Sequence, residues 1–429
     1  MRKIKPFLAI VALLIILVQT AKAQTPVSGG IYTNATWTIL ESPYIVTANV
    51  VVFPGVTLTI EPGVTVKFEN NTRLEIRQGR IIAIGNINDS IIFTSHVMPP
   101  VDGWNIKLNN DSSSTFKYCI FSFSSAAGAI SRQTSNINCN LEIKNSSFKN
   151  DPVALNTDAT QQSYTLIDSC IFKNNTQGAA VNAYVTVDHS NFSNNKLGIT
   201  ISYGTLQNSI IDSNGLTDTT GGVGVYAGMG TLVNNCIIIN NDIGIKASTG
   251  SSLATFTKND IENNNYGIIL LSIANIHCNK ICNNILFDLS YIVTSGNLNA
   301  DNNYWCTNDL NEISARIYDG YDNVLFGLVN FNPIDTTQCY LSSGIKDNNT
   351  DNSLFEVFPN PAFNYINLIL PENNFGKIIK VYNLMGQLEL ISETENVRPE
   401  IDISGLNKGV YIIEIISNDK IIRSKFIKQ

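Results

Sequence analysis

Two aspartates occupy the same point of a recurring pattern. Asp168 lies four residues before Phe172 and Asp188 four residues before Phe192, with His189 beside the second. On neighbouring strands such a pair could share a proton or hold a calcium ion, so Asp168, Asp188 and His189 are the catalytic candidates. Aspartate also favours corners, where it bonds its own backbone, and the structural reading of both residues is a solvated turn. A lyase would further need a basic residue aimed at a sugar carboxylate. The nearby Lys173 and Lys196 follow no shared pattern. The three histidines are scattered and no CxxC pair has metal spacing, so no cofactor is expected, with calcium the one metal the acids could take.

Asparagine is the other recurring polar residue. Pairs at 174/175, 194/195, 240/241, 263/264 and 283/284 each follow an apolar anchor. Asparagine tolerates the left-handed corner conformation and its amide can bond the asparagine stacked above it, so Asn174, Asn194, Asn240, Asn263 and Asn283 are read as a structural ladder. Four cysteines, Cys278, Cys282, Cys306 and Cys339, crowd one region and allow three pairings; a Cys306–Cys339 link would close the terminal loop. Cys119, Cys170 and Cys236 share one position of the pattern and read as buried small apolar residues.

These residues are positioned by an internal repeat. The anchors Phe121, Phe148, Phe172, Phe192, Ile211, Ile238, Ile261 and Ile281 are spaced by 27, 24, 20, 19, 27, 23 and 20 residues. Such a period is one turn of a solenoid per repeat. In most turns two Asn, two variable residues and a Gly lead into an alternating strand, as in Gly178-Ala179-Ala180-Val181, Gly198-Ile199-Thr200-Ile201, Gly244-Ile245-Lys246-Ala247 and Gly267-Ile268-Ile269-Leu270. Alternation marks strands buried on one face, and glycine is expected to supply the positive φ of a sharp corner. Each repeat reads as strand, corner, strand. No helical period of useful length interrupts the series.

The N-terminal turns contain Gly55-Val56-Thr57-Leu58-Thr59-Ile60-Glu61-Pro62-Gly63, then Ile92-Phe93-Thr94-Ser95 and Gly103-Trp104. These residues resemble the opening coils of bacterial surface proteins in the right-handed parallel β-helix (pectate-lyase-like) superfamily, over about residues 30–335. Asp301-Asn302-Asn303-Tyr304-Trp305 and Phe331-Asn332-Pro333 resemble the last coil, where aromatics cap the open apolar end. The resemblance implies a fold and leaves activity open, since the superfamily includes lyases, hydrolases and non-catalytic surface proteins.

Both termini carry addresses. Arg2, Lys3 and Lys5 precede a 13-residue apolar run, Pro6 to Val18, and Ala21-Lys22-Ala23. That order is a signal peptide, too short to span a bilayer. After Tyr340 the chain turns polar, and its last 75 residues read as a compact antiparallel β-domain. There, Phe358-Pro359-Asn360-Pro361, Val381-Tyr382-Asn383-Leu384-Met385-Gly386-Gln387, Leu406-Asn407-Lys408-Gly409-Val410-Tyr411 and Lys425-Phe426-Ile427-Lys428 resemble the C-terminal sorting domain of type IX secretion cargo in Bacteroidetes. The resemblance implies recognition by that machinery through Pro359, Asn360, Pro361, Gly409, Tyr411, Lys425 and Lys428, with export by way of the periplasm to the surface or medium.

The expected architecture is all-β: signal peptide 1–23, right-handed parallel β-helix 24–340, linker 341–354 and a C-terminal β-sandwich sorting domain 355–429. Charged residues are only 15% of the chain and the net charge is −7, which excludes the basic face of a nucleic-acid binder. No second stretch is apolar enough to span a membrane. The functional expectation is a non-catalytic surface protein binding glycan or another macromolecule; the alternative is an extracellular polysaccharide lyase or glycoside hydrolase.

Overall fold

A computed structural model describes residues 24–98, 102–134, 139–159, 163–215, 222–248, 250, 253–336, 339, 356–358, 362–369, 377–383, 387–394, 399–417 and 420–428. The expected leader 1–23 and linker 341–354 lie outside these residues. Internal contacts divide the chain into two compact units, Met1–Ser342 and Ser343–Gln429.

The first unit is a parallel solenoid of about eleven turns. Each regular coil supplies three strands, one more than the repeat suggested. In one coil these are Thr165–Asp168, Ile171–Lys173 and the first half of Gln177–Asp188. Ile171–Lys173 pairs in parallel with Ser147–Lys149 before it and Asn191–Ser193 after it, and such pairings build a first sheet. The strand after each anchor builds a second sheet and the strand before it a third. Inward residues alternate with outward ones, and the anchors form an interior stack. Phe93, Phe121, Phe148, Phe172 and Phe192 are all fully buried, with successive ring centroids 4.4–5.0 Å apart and nearly parallel planes. Burying each such ring contributes about 2–3 kcal/mol, which is why one aromatic per coil can fix the register.

The corners differ from expectation in how they turn. Positive φ falls on the first residue of each asparagine pair, including Asn174 (57°), Asn194 (54°), Asn240 (56°), Asn263 (58°) and Asn283 (56°). The glycines that follow are not in that conformation. They allow close backbone approach instead: a Cβ on Gly198 would sit 2.4 Å from the Gly224 carbonyl oxygen, and one on Gly244 would sit 2.6 Å from that of Gly267.

The C-terminal end of the solenoid is closed by a short helix, α1 (Leu310–Ala315), capped by the Asp309 carboxylate, and by two disulfides. The pairing is Cys278–Cys339 and Cys282–Cys306, with Cα separations of 5.2 and 5.9 Å, not the expected Cys306–Cys339. The register explains the difference. Lys280 bridges to Tyr304 on the next coil, which places Cys282 beside Cys306. Trp305 is only 3% exposed and packs edge-to-face on Phe331, which gives these aromatics a capping position in the core.

The second unit is antiparallel. Glu356–Phe358, Tyr365–Ile369 and Glu400–Asp402 form one sheet; Leu388–Thr394, Lys377–Asn383, Gly409–Ser417 and Lys420–Lys428 form another. Ile366, Leu368, Ile379, Val381, Ile413 and Phe426 share its core. Among the described residues no helix is long and apolar enough to cross a membrane.

Candidate functional site

The third sheet places Asp168 and Asp188 side by side, directly paired in register on its outer face. Neither is left open. Lys144 on the preceding coil lies 3.7 Å from Asp168 and 3.1 Å from Glu142, and Lys117 lies 2.9 Å from Glu142, so Lys117, Glu142, Lys144 and Asp168 form a chain of ion pairs. Burial by itself raises the Glu142 carboxyl, but hydrogen bonds from Lys117 and Lys144 outweigh it and hold that group below the usual range. Asp188 accepts from Gln207 Nε2 at 3.1 Å and Asn208 Nδ2 at 2.8 Å, and His189 Nδ1 stands 2.9 Å from it. His189 occupies a corner with φ 45°. Among the described residues no three His, Cys, Asp or Glu side chains converge as a metal site.

The asparagines form their ladder one residue further along than expected. Because the first residue of each pair turns the corner in the left-handed region, the second points inward, and Asn175, Asn195, Asn214, Asn241, Asn264 and Asn284 are all buried. Asn174, Asn194, Asn240, Asn263 and Asn283 are therefore corner residues. Asn195 Nδ2 donates to the previous coil's Phe172 carbonyl at 3.0 Å and to Asn214 Oδ1 on the next coil at 3.0 Å. The same step repeats through Asn214, Asn241 and Asn264 and ends at Asn284, whose amide donates to Asp288 Oδ1 at 2.8 Å. Asp288 is matched by Arg316 at 3.2 Å. At the other end the corresponding residue is Asp151, 2% exposed; its Oδ1 accepts from the Ser124 amide at 2.8 Å and its Oδ2 has no partner.

A second ladder follows the opposite corner, where the Cys119 amide donates to Ser146 Oγ, Cys170 to Ser190 Oγ and Cys236 to Asn259 Oδ1. The three cysteines are buried, and burial pushes the Cys170 and Cys236 thiols up to about 12 and Cys119 higher still. Both ladders are interior, so they hold coils together and present nothing to a ligand.

At the other end of the strands that carry the two aspartates the surface bears a row of tyrosines. Thr165, Val185 and Gly204 are register partners in the third sheet, so Tyr164, Tyr184 and Tyr203 occupy equivalent corner positions on three successive coils. They are 41%, 46% and 45% exposed. Tyr184 and Tyr203 hold φ of 51° and 49°, a conformation that a bulky side chain adopts at a cost of about 1–2 kcal/mol. Gly230 leaves room for the Tyr203 ring, since a Cβ there would lie 2.9 Å from its Cδ1. On one flank run Asp158, Asn182 and Ser202, an outward row of the second sheet; on the other run Leu166, Thr186 and Thr205, with Asp168, Asp188 and Gln207 two residues further along the same strands, beside the opposite corner. The signal was present in the sequence, since each tyrosine precedes its anchor, Phe172, Phe192 or Ile211, by eight residues. It is hard to find there because the strand between them had not been recognised.

In the second unit Gly409 and Lys428 are opposite partners on neighbouring strands, and Tyr411 stacks on Phe426 with its hydroxyl donating to the Asn407 carbonyl at 2.8 Å. Lys425 is exposed, while Lys428 is 8% exposed. Pro359, Asn360 and Pro361 lie outside the described residues.

Residues 356–429 match the family described as secretion system C-terminal sorting domain, and residues 104–285 match the family described as right handed beta helix region. No curated protein matches the chain. Similar solved structures include the A-module of mannuronan C-5 epimerase AlgE4 from Azotobacter vinelandii, 13% identical, covering 57% of this chain and 83% of that one with a TM-score of 0.30. A mutant of the periplasmic alginate epimerase AlgG is 9% identical over 73% of this chain and 77% of its own, with a TM-score of 0.33. The AlgE6 A-module from Azotobacter vinelandii is 13% identical over 75% and 93%, with a TM-score of 0.29. Likenesses at this level carry no inference about activity.

Proposed function

We propose, for a chain that is a right-handed parallel β-helix with a C-terminal type IX sorting domain, and so is addressed to the cell surface or the medium, the role of a non-catalytic glycan-binding protein. The observation that carries this reading is the exposed row Tyr164, Tyr184 and Tyr203, one ring per coil. Tyrosine offers an apolar face and a polar tip, which suits the stacked face and hydroxyl rim of a sugar. Sheet spacing sets the backbone positions of these tyrosines about 4.8 Å apart along the solenoid. The row Asp158, Asn182 and Ser202 beside them supplies acceptors and donors already oriented by their neighbours, such as Asn182 on Asp158. In this reading the leader at 1–23 delivers the chain to the periplasm, and the tail is read and removed at the outer membrane.

The test is a glycan array and polysaccharide pull-down comparing the parent protein with a Tyr164→Ala, Tyr184→Asn, Tyr203→Asn variant. Asparagine is chosen at the two left-handed corners to keep the backbone. At about 0.5–1.5 kcal/mol per aromatic contact, binding should weaken about tenfold or more without a fall in melting temperature. Retained binding at full strength would remove the tyrosine row from consideration.

The register pairing of Asp168 with Asp188 is the one observation that favours a lyase or glycosidase instead. It predicts product release from a polysaccharide panel that Asp188→Asn abolishes.

A further inference from the structure

If the tyrosine row is the binding surface, the charge around it says which polymers fit. Three carboxylates stand on the two sheets that meet at the row, Asp158 on its near flank and Asp168 and Asp188 at the far end of the third-sheet strands, beyond Leu166 and Thr186. Asp158 accepts from Asn182 Nδ2 at 3.3 Å and Asp188 from Gln207 and Asn208, so two of the three are oriented by neutral amides and keep their charge uncompensated by a lysine or arginine in those bonds. Lys144 is shared between Glu142 and Asp168, and His189 lies against Asp188. Lys149 and Lys173 stand in the outward row of the first sheet, away from the tyrosine corner, and Arg132 on the second sheet is buried on Asp111 inside the solenoid.

We infer that this surface selects an uncharged, hydroxyl-rich polysaccharide and rejects polyuronates and sulfated glycans; the inference rests on the tyrosine row being the binding site. A carboxylate is acceptor-only and bonds strongly to hydroxyl donors, which a neutral sugar presents on every unit. A polyanion lying across these sheets brings like charges toward Asp158 and Asp188, which costs affinity at the coils that carry them. A polycation would bind chiefly through charge, and that attraction would fade with salt.

The decisive measurement uses the full-length protein and the tyrosine variant on three purified probes, a neutral mannan or glucan, alginate and chitosan, each at low and at high salt. The expected result is neutral-polymer binding that changes less than about twofold with salt, alginate binding at least about tenfold weaker, and loss of the neutral binding in the tyrosine variant. An Asp158→Asn, Asp188→Asn variant should narrow the gap between the neutral polymer and alginate. Tyrosine-dependent binding that favours alginate, or that favours chitosan and collapses at high salt, would overturn the inference while leaving the tyrosine site standing. Binding that ignores the tyrosine variant, or no binding to any probe, would remove the site and the inference together.

Discussion

Asp151 occupies a ladder position where six following coils carry asparagine. Each of those asparagines donates Nδ2 to the preceding anchor's carbonyl, as Asn175 does to Phe148 at 3.2 Å, and the matching acceptor for Asp151 is the Phe121 carbonyl. A protonated carboxyl is the isostere that can make this bond. Burial pushes the Asp151 carboxyl up to about 7, against hydrogen bonds from Ser124 and Lys149 that lower it. An unfolded aspartate releases its proton near about 3.9. Between those limits the folded chain holds more protons, so stability is greatest below the window and falls as pH rises from about 4 to about 7. Asp151→Asn should remove that slope and stabilise the neutral-pH protein by about 1–3 kcal/mol, measured by denaturant melts across the range. Parallel pH profiles for parent and variant would refute the assignment. The same stretch shows what a sequence reveals at this scale. The asparagine pairs announced a ladder, but which member faces inward depends on the corner residue's φ, as at Asn174, and no composition rule encodes that sign.

Among the elements, the glycine column is the least forgiving. Gly178, Gly198, Gly224, Gly244 and Gly267 sit where successive backbones converge, each with the next coil's carbonyl within 2.4–2.9 Å of a would-be Cβ. Gly198→Ala forces the coils apart and should cost about 1–3 kcal/mol, although alanine suits the backbone of a strand. A thermal melt lowered by several degrees is expected; an unchanged melt would show that the coils give way. The anchors and the second-sheet strands were legible because each repeats an apolar alternation. The third-sheet strands were not: Thr165–Asp168 and Thr255–Thr257 are four and three residues long, too short to display a period. The tyrosine row was hidden with them. At the C-terminal cap, Cys278–Cys339 closes 61 residues and is expected to stabilise the end by about 4 kcal/mol on the chain-entropy model, so reduction should loosen the last coil before the rest.

For the whole molecule, the two units have separate cores, which lets one be removed without undoing the other. Deleting 355–429 should leave the solenoid melting as before while the protein fails to reach the surface, as followed by cell fractionation with antibody to the solenoid. Equal export of the shortened chain would turn the tail into an ordinary binding module. The C-terminal address could be read from sequence because translocation machinery imposes its own residue pattern, whereas a ligand surface on a solenoid is spread over coils about twenty residues apart. The amide ladder adds a direction to this repetitive body. From Asn195 onward each ladder residue sends two hydrogens toward the C-terminal end, its backbone N–H and one amide hydrogen, both to the next Oδ1, and one amide hydrogen back to the preceding coil's carbonyl; at Asn284 the carboxylate of Asp288 receives the forward pair. Assembly is therefore biased in direction: at the ladder a coil missing on the C-terminal side strands two buried donors, whereas one missing on the N-terminal side strands one, the milder fault. Fragments cut just before Asp288 should be digested faster by a protease than fragments lacking an equal length ahead of Asn175, and a growing solenoid would carry the larger share of its unfinished bonds at its C-terminal front.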